Sequence, residues 1–265
     1  MKVALCISGH LRGISKTIQN QLSNLIEPND CEVFVYTSNL ISQRVNLDPE
    51  FEPSGNIFKK YNAKGHMSGI MYNVDKKEIE KQVSQSYNTR LVKLVVDDER
   101  LEENLKVGYK ESDKYFSGSN RKPWGWIKKT FEKTYKCDRM FTEFCNNNEL
   151  QYDIVIRSRT DLSFKDKLLV NNMDINDKIF AFGGWNPGGT HQTNGYNEYY
   201  FDGFAYSTPN NISRYCRFYT DASENFKKAT GLEPQLHDYL EKAGLQYASI
   251  GNTTKKSQRQ YKIVR

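Results

Sequence analysis

The sequence predicts an α/β fold, with a mostly parallel central sheet flanked by helices. Three observations carry this expectation. Short continuous apolar runs recur at residues 3–7, 31–36 and 152–157, and runs of this length without polar alternation read as strands buried on both faces. Stretches with apolar residues at helical spacing lie between them. The first strand, helix and second strand together occupy about 35 residues, the size of a βαβ unit with a right-handed crossover.

Taken in order, the first strand is 3–7, bounded by Ser8, Gly9 and His10. Ile14, Ile18, Leu22 and Leu25 predict a helix over 15–25, broken by the residues around Pro28. The second strand is 31–36. Residues 39–72 hold Pro49, Pro53, Gly55, Gly65 and Gly69 and read as a long loop or insertion. A helix over 75–86 and a third strand over 91–96 follow. Residues 97–121 read as irregular, with 98–105 as an optional short helix. A long helix over 124–146 carries Trp126, Ile127, Thr130, Phe131, Thr134, Cys137, Met140, Phe141 and Phe144 on one stripe. Pro123 stands near its start, where proline is tolerated.

Residues 152–157 form a central strand, and 158–161 a loop. A strand over 178–182, a glycine-rich mobile loop over 183–198 and a strand over 200–206 come next. Pro209 opens a helix to about 226. A helix over 233–243 is stopped by Gly244, and a strand over 245–250 and a basic tail close the sequence. No internal repeat or linker divides the 265 residues, so 1–265 reads as one domain.

Composition narrows the function classes. With 37% hydrophobic and 26% charged residues the chain is a folded protein rather than a disordered one. The net charge of +6 is spread through mixed runs and concentrated only in the tail, so no nucleic-acid partner is expected. The five cysteines are irregularly spaced and form no CxxC. Cys6 and Cys31 sit in apolar runs and read as buried free thiols, and the expected compartment is reducing and cytoplasmic. The apolar start is too short for a secretory leader, and no run is long enough to span a membrane.

Several motifs are missing: no GxGxxG, GxxxxGK[ST], GxSxG or HExxH occurs. What stands out is the apolar strand ending in charge, YDIVIRSRTD at 152–161. Ligands of open parallel sheets bind beyond the carboxyl ends of strands. If the strand stays extended, Arg157, Arg159 and Asp161 share one face. The arginines can pair with phosphates and Asp161 can hold a divalent cation. The competing reading is a structural salt-bridge cluster.

The runs VALCISGHLRG, EVFVYT and YDIVIRSRTDLSF, with the long helix between them, resemble the small GT-A-type glycosyltransferases of large DNA viruses, algae and bacteria. The resemblance covers the first 40 residues and roughly 124–250. It implies a GT-A-like domain whose residues 1–100 bind nucleotide and whose residues 150–250 hold the diphosphate and acceptor. It implies a DxD-like motif at the tip of the central strand, binding Mn2+ or Mg2+ and the diphosphate of a nucleotide sugar such as a UDP-sugar. Asp161 matches the last acid of that motif. Arg159 stands in place of the first, which puts the metal in doubt.

The resemblance also places nucleotide contacts after the first strand, at Ser8, Gly9, His10 and Arg12; an ordinary βα turn is the competing reading. Tyr36 is assigned either to the base or to packing. Glu233, eleven residues before Gly244, matches the general base of inverting enzymes; the same carboxylate also suits a helix N-terminus. Asp202, among aromatics, is the second candidate base. Trp185, His191 and His237 are candidate loop and acceptor contacts.

The expected function is transfer of a sugar from a nucleotide-diphosphate donor to a glycan or glycoprotein hydroxyl. The alternatives are a sulfotransferase, with Lys16 and Thr17 near the phosphosulfate, a nucleotidyltransferase-like enzyme, or a non-catalytic carbohydrate-binding module.

Overall fold

The computed structural model describes residues 1–11, 13–45, 68–99, 124–170, 175–185, 198–221, 232–250 and 261–263. Seven strands form the central sheet: β1 (Val3–Ser8), β2 (Glu32–Ser38), β5 (Leu91–Asp97), β6 (Ile154–Ser158), β8 (Lys178–Trp185), β9 (Glu198–Ser207) and β10 (Gln246–Ser249). Their order is β10-β8-β9-β6-β1-β2-β5. Every neighbouring pair is parallel except those that β9 makes with β6 and β8. The expected α/β class with a mostly parallel sheet is therefore what the chain adopts.

Helices cover both faces, and β1 shows why. Val3, Leu5 and Ile7 join one core, while Ala4 and Cys6 join the other, because successive side chains of a strand point to opposite faces. The first core is closed by α1 (Ile14–Gln21), the π turn Leu22–Ile26 and α2 (Lys76–Tyr87), through Ile14, Leu25, Ile26, Ile79 and Val83. The second is closed by α3 (Trp124–Asn147), α4 (Pro209–Cys216) and α6 (Leu232–Lys242), through Phe131, Phe141, Ile212 and Leu236. The short α5 (Phe218–Asp221) packs beside them through Phe218. Phe34 anchors the second core, edge-on to Phe141 and Tyr152 at 5.0 and 5.9 Å, a favoured aromatic geometry.

Four expectations need correction. The ends of the stretch 39–72 are not loop: β3 (Leu40–Val45) and β4 (Ser68–Asn73) pair as an antiparallel ribbon. The basic tail is not irregular throughout: it returns as β11 (Tyr261–Ile263) to pair with β7 (Leu162–Phe164), which follows the 158–161 loop directly; three-residue strands carry too little pattern to be read. Residues 183–185 extend β8, and 198–199 open β9, so the glycines at 183 and 184 stand in a strand. The helix from Pro209 breaks at Arg217 into α4 and α5. Among the described residues, no helix is long and apolar enough to cross a membrane.

Candidate functional site

The strand order changes direction at β1: β2 lies on one side of it and β6 on the other. Loops leaving neighbouring strands at such a point diverge and open a crevice at the carboxyl ends, where α/β proteins bind ligands. The crevice rim here is built by 9–10 after β1, Asn39 after β2, 98–99 after β5 and 159–161 after β6.

The rim is stitched by hydrogen bonds between these segments. Gly9 N–H donates to the Tyr36 carbonyl at 3.2 Å, and the Thr37 hydroxyl donates to the Gly9 carbonyl at 2.8 Å. Gly9 has φ +117°, a conformation that L side chains rarely adopt. The Thr160 hydroxyl reaches the His10 carbonyl at 3.4 Å, tying the β1 turn to the β6 turn. From α1, Gln21 donates to the carbonyls of Arg159, Thr160 and Leu162, so the 159–162 backbone is held from below.

Three titratable groups meet in this rim. The Glu99 carboxylate lies 3.3 Å from His10 Nε2 and 2.5 Å from Lys133 Nζ. The Lys133 side chain is only 4% exposed. Burial pushes the Glu99 carboxyl up, but the His10 hydrogen bond and the Lys133 charge outweigh it and hold the group well below the usual carboxylate range. The sequence reading missed both Glu99 and Lys133. The signal for Glu99 was present, since Asp97, Asp98 and Glu99 follow directly on an apolar strand as Arg159 and Asp161 do. Lys133 left none, being one lysine within a long helix.

The expected common face of Arg157, Arg159 and Asp161 is corrected, because β6 ends at Ser158 and the next residues turn. Arg157 points into the layer of α3 and α4. It is 2% exposed, donates to Thr134 Oγ1 at 3.1 Å, and lies 5.6 Å over the Tyr215 ring. Its Nε has no hydrogen-bond partner among the described residues. Cys6, Ser8, Thr134, Asp138 and Cys216 bound a small cavity beside it with room for roughly one water molecule. Arg157 is thus shut away from the rim. Ser8 is buried with it, within 3.2 Å of Thr134.

Arg159 and Asp161 remain together at the rim. Arg159 Nε and Nη2 donate to the two carboxylate oxygens of Asp161 at 2.9 and 2.6 Å. The Asp161 side chain is 1% exposed and that of Arg159 16%. A divalent cation would need carboxylate oxygens turned toward it, usually from several ligands. Both Asp161 oxygens are turned toward Arg159. Among the described residues, no group of three or more His, Cys, Asp or Glu side chains could hold a metal ion. The residues described here do not fit such a cation.

Other expected site residues divide by place. Tyr36 stands in the second core, its hydroxyl donating to Asp97 at 2.7 Å. His237 is buried in α6 with its ring 6.1 Å from that of Tyr247. Arg12 and His191 lie outside the described residues. Trp185, Asp202 and Glu233 are placed by their backbone. β9 pairs with β6 only at 205–207, so Asp202 lies past the carboxyl end of β6, on the rim side. It also falls within an irregularity, where β9 residues 201–204 face the single β8 residue 182; bulges of this kind recur beside active sites. Trp185 ends β8 on the same side. α6 turns into β10 at Gly244, with φ +74°, and so runs back against it. Its first turn, with Glu233, therefore lies toward the carboxyl ends.

A wider groove opens elsewhere, between α3 and β5, lined by Tyr36, Lys93, Lys136, Arg139 and Glu143 among the described residues.

All five cysteines are buried free thiols. No protein-family model and no curated protein matches the sequence.

Proposed function

We propose that the protein is a GT-A-type glycosyltransferase that moves a sugar from a nucleotide-diphosphate donor to a glycan hydroxyl. One observation carries the reading. The β1 turn, the Arg159–Asp161 turn, the irregularity holding Asp202 and the first turn of α6 with Glu233 all stand at the carboxyl end of one sheet, the first two at its switch point. Gly9, Arg159, Asp161, Asp202 and Glu233 come from scattered sequence positions and share one end of the fold, while Arg157, Tyr36 and His237 pack in its interior.

In this reading the β1 turn receives the nucleotide and Arg159 meets the diphosphate. Glu233 or Asp202 takes the proton of the acceptor hydroxyl. The acceptor oxygen bonds to the anomeric carbon as the bond from that carbon to the phosphate oxygen breaks. The electron pair leaves on the diphosphate, and in-line displacement inverts the centre.

For the sulfotransferase alternative, Lys16 is exposed but Thr17 is turned inward, which does not favour a phosphosulfate contact at its hydroxyl. Thr17 is buried, and its hydroxyl donates to the Thr160 carbonyl at 2.5 Å and the Gly13 carbonyl at 3.1 Å. The test is release of nucleoside diphosphate from UDP- and GDP-sugars by the full chain. Turnover of one donor is expected, with kcat reduced by about 100-fold or more in Glu233→Gln or Asp202→Asn. No release from any donor, with or without a glycan acceptor, would count against the reading.

A further inference from the structure

We propose that this site neutralises the donor diphosphate with the Arg159 guanidinium in place of a divalent cation, and that Asp161 is the positioning residue that aims Arg159. The inference rests on the glycosyltransferase reading above and deepens it.

The geometry of one pair carries it. A carboxylate serving a cation directs its lone pairs at the metal, and hard cations gather several oxygens. Asp161 directs both of its oxygens at Arg159, at 2.9 and 2.6 Å. The residue two before Asp161, where a second acid would complete a metal pair, is Arg159 itself. A cation seated on Asp161 would stand against a guanidinium already within hydrogen-bond distance.

The same contact suits the other role. A guanidinium has five N–H donors in a rigid plane, and the grip of Asp161 engages Nε and Nη2. Holding that edge fixes the plane of the group, and a fixed planar fork matches phosphate oxygens better than a mobile ammonium. The turn beneath is itself held, through Thr17 on the Thr160 carbonyl and Gln21 on the carbonyls of Arg159, Thr160 and Leu162. The cation is pre-placed, so little reorganisation accompanies the appearance of charge on the leaving group.

The experiment titrates the full chain with UDP, GDP and CDP by calorimetry, once in EDTA and once in Mn2+. One nucleoside diphosphate is expected to bind with the same Kd in both buffers, within about twofold, and Arg159→Lys and Asp161→Asn are each expected to weaken it roughly tenfold in EDTA. Asp161→Glu, which keeps the carboxylate, recovers part of the loss. Tightening of the wild type by roughly tenfold or more in Mn2+ overturns the inference and leaves the glycosyltransferase reading standing. Absence of binding in either buffer removes both. Unchanged affinity in a folded Asp161→Asn overturns the positioning role. The wild-type comparison decides the metal question even if a variant fails to fold.

Discussion

Arg159 holds Asp161 through two parallel hydrogen bonds, Nε at 2.9 Å and Nη2 at 2.6 Å, on a carboxylate that is 1% exposed. A short-range pair of this kind, two residues apart, shapes the turn that follows β6. Deleting one partner leaves the other charge poorly solvated. Asp161→Ala is therefore expected to lower unfolding free energy by about 2 kcal/mol, measured by urea denaturation. An unchanged midpoint would show that the pair contributes nothing to the fold.

Glu99 gives a pH signature. Its carboxyl is held below the usual range in the folded chain, by His10 and Lys133 acting against burial. A depressed folded pKa adds stability that is present above the unfolded value and lost as pH falls toward the folded one. Glu99→Gln should cost about 2 kcal/mol at pH 7. The gap between wild type and variant should close as pH drops below roughly 4. A gap that stays constant down to acid pH would contradict the charge assignment.

Gly9 isolates backbone strain. It has φ +117°, and a Cβ there would meet no atom within 4 Å. Gly9→Ala should thus destabilise by about 1–2 kcal/mol through conformation alone, readable as a lower melting temperature. Equal stability would mean that the turn relaxes.

Arg157 separates interior from rim. Its guanidinium is 2% exposed and bonded to Thr134 and Tyr215. A guanidinium shut inside the helix layer has no route to a ligand at the rim. Arg157→Met should change nucleoside diphosphate affinity by less than about threefold, against roughly tenfold for Arg159→Lys. A large loss in Arg157→Met would place Arg157 in the binding site after all.

Much of the fold was legible because its strands are buried on both faces. Uninterrupted runs such as 3–7 and 152–157 have few other readings, and 91–96 sits beside its own helix. The reversed β9 was not legible, since a strand's direction is set by its partner rather than by its residues. β7 and β11 are too short to show a period. At the site, the end of β6 announced itself by charge, yet the faces of Arg157 and Arg159 were misjudged. Alternation holds only while the strand continues, and β6 stops at Ser158. Glu99 followed the same strand-end pattern as Asp161 and was passed over; Lys133 reaches it from a helix 34 residues away in sequence.

The central claim, a nucleotide sugar seated at the carboxyl end of the sheet, is tested most directly by melting the full chain against UDP-, GDP- and CMP-sugars, with and without Mn2+. A donor at about ten times its Kd should raise the melting temperature by roughly 3–5 °C, and it should be a nucleoside-diphosphate sugar. If none of the sugars moves the transition in either buffer, the claim is wrong.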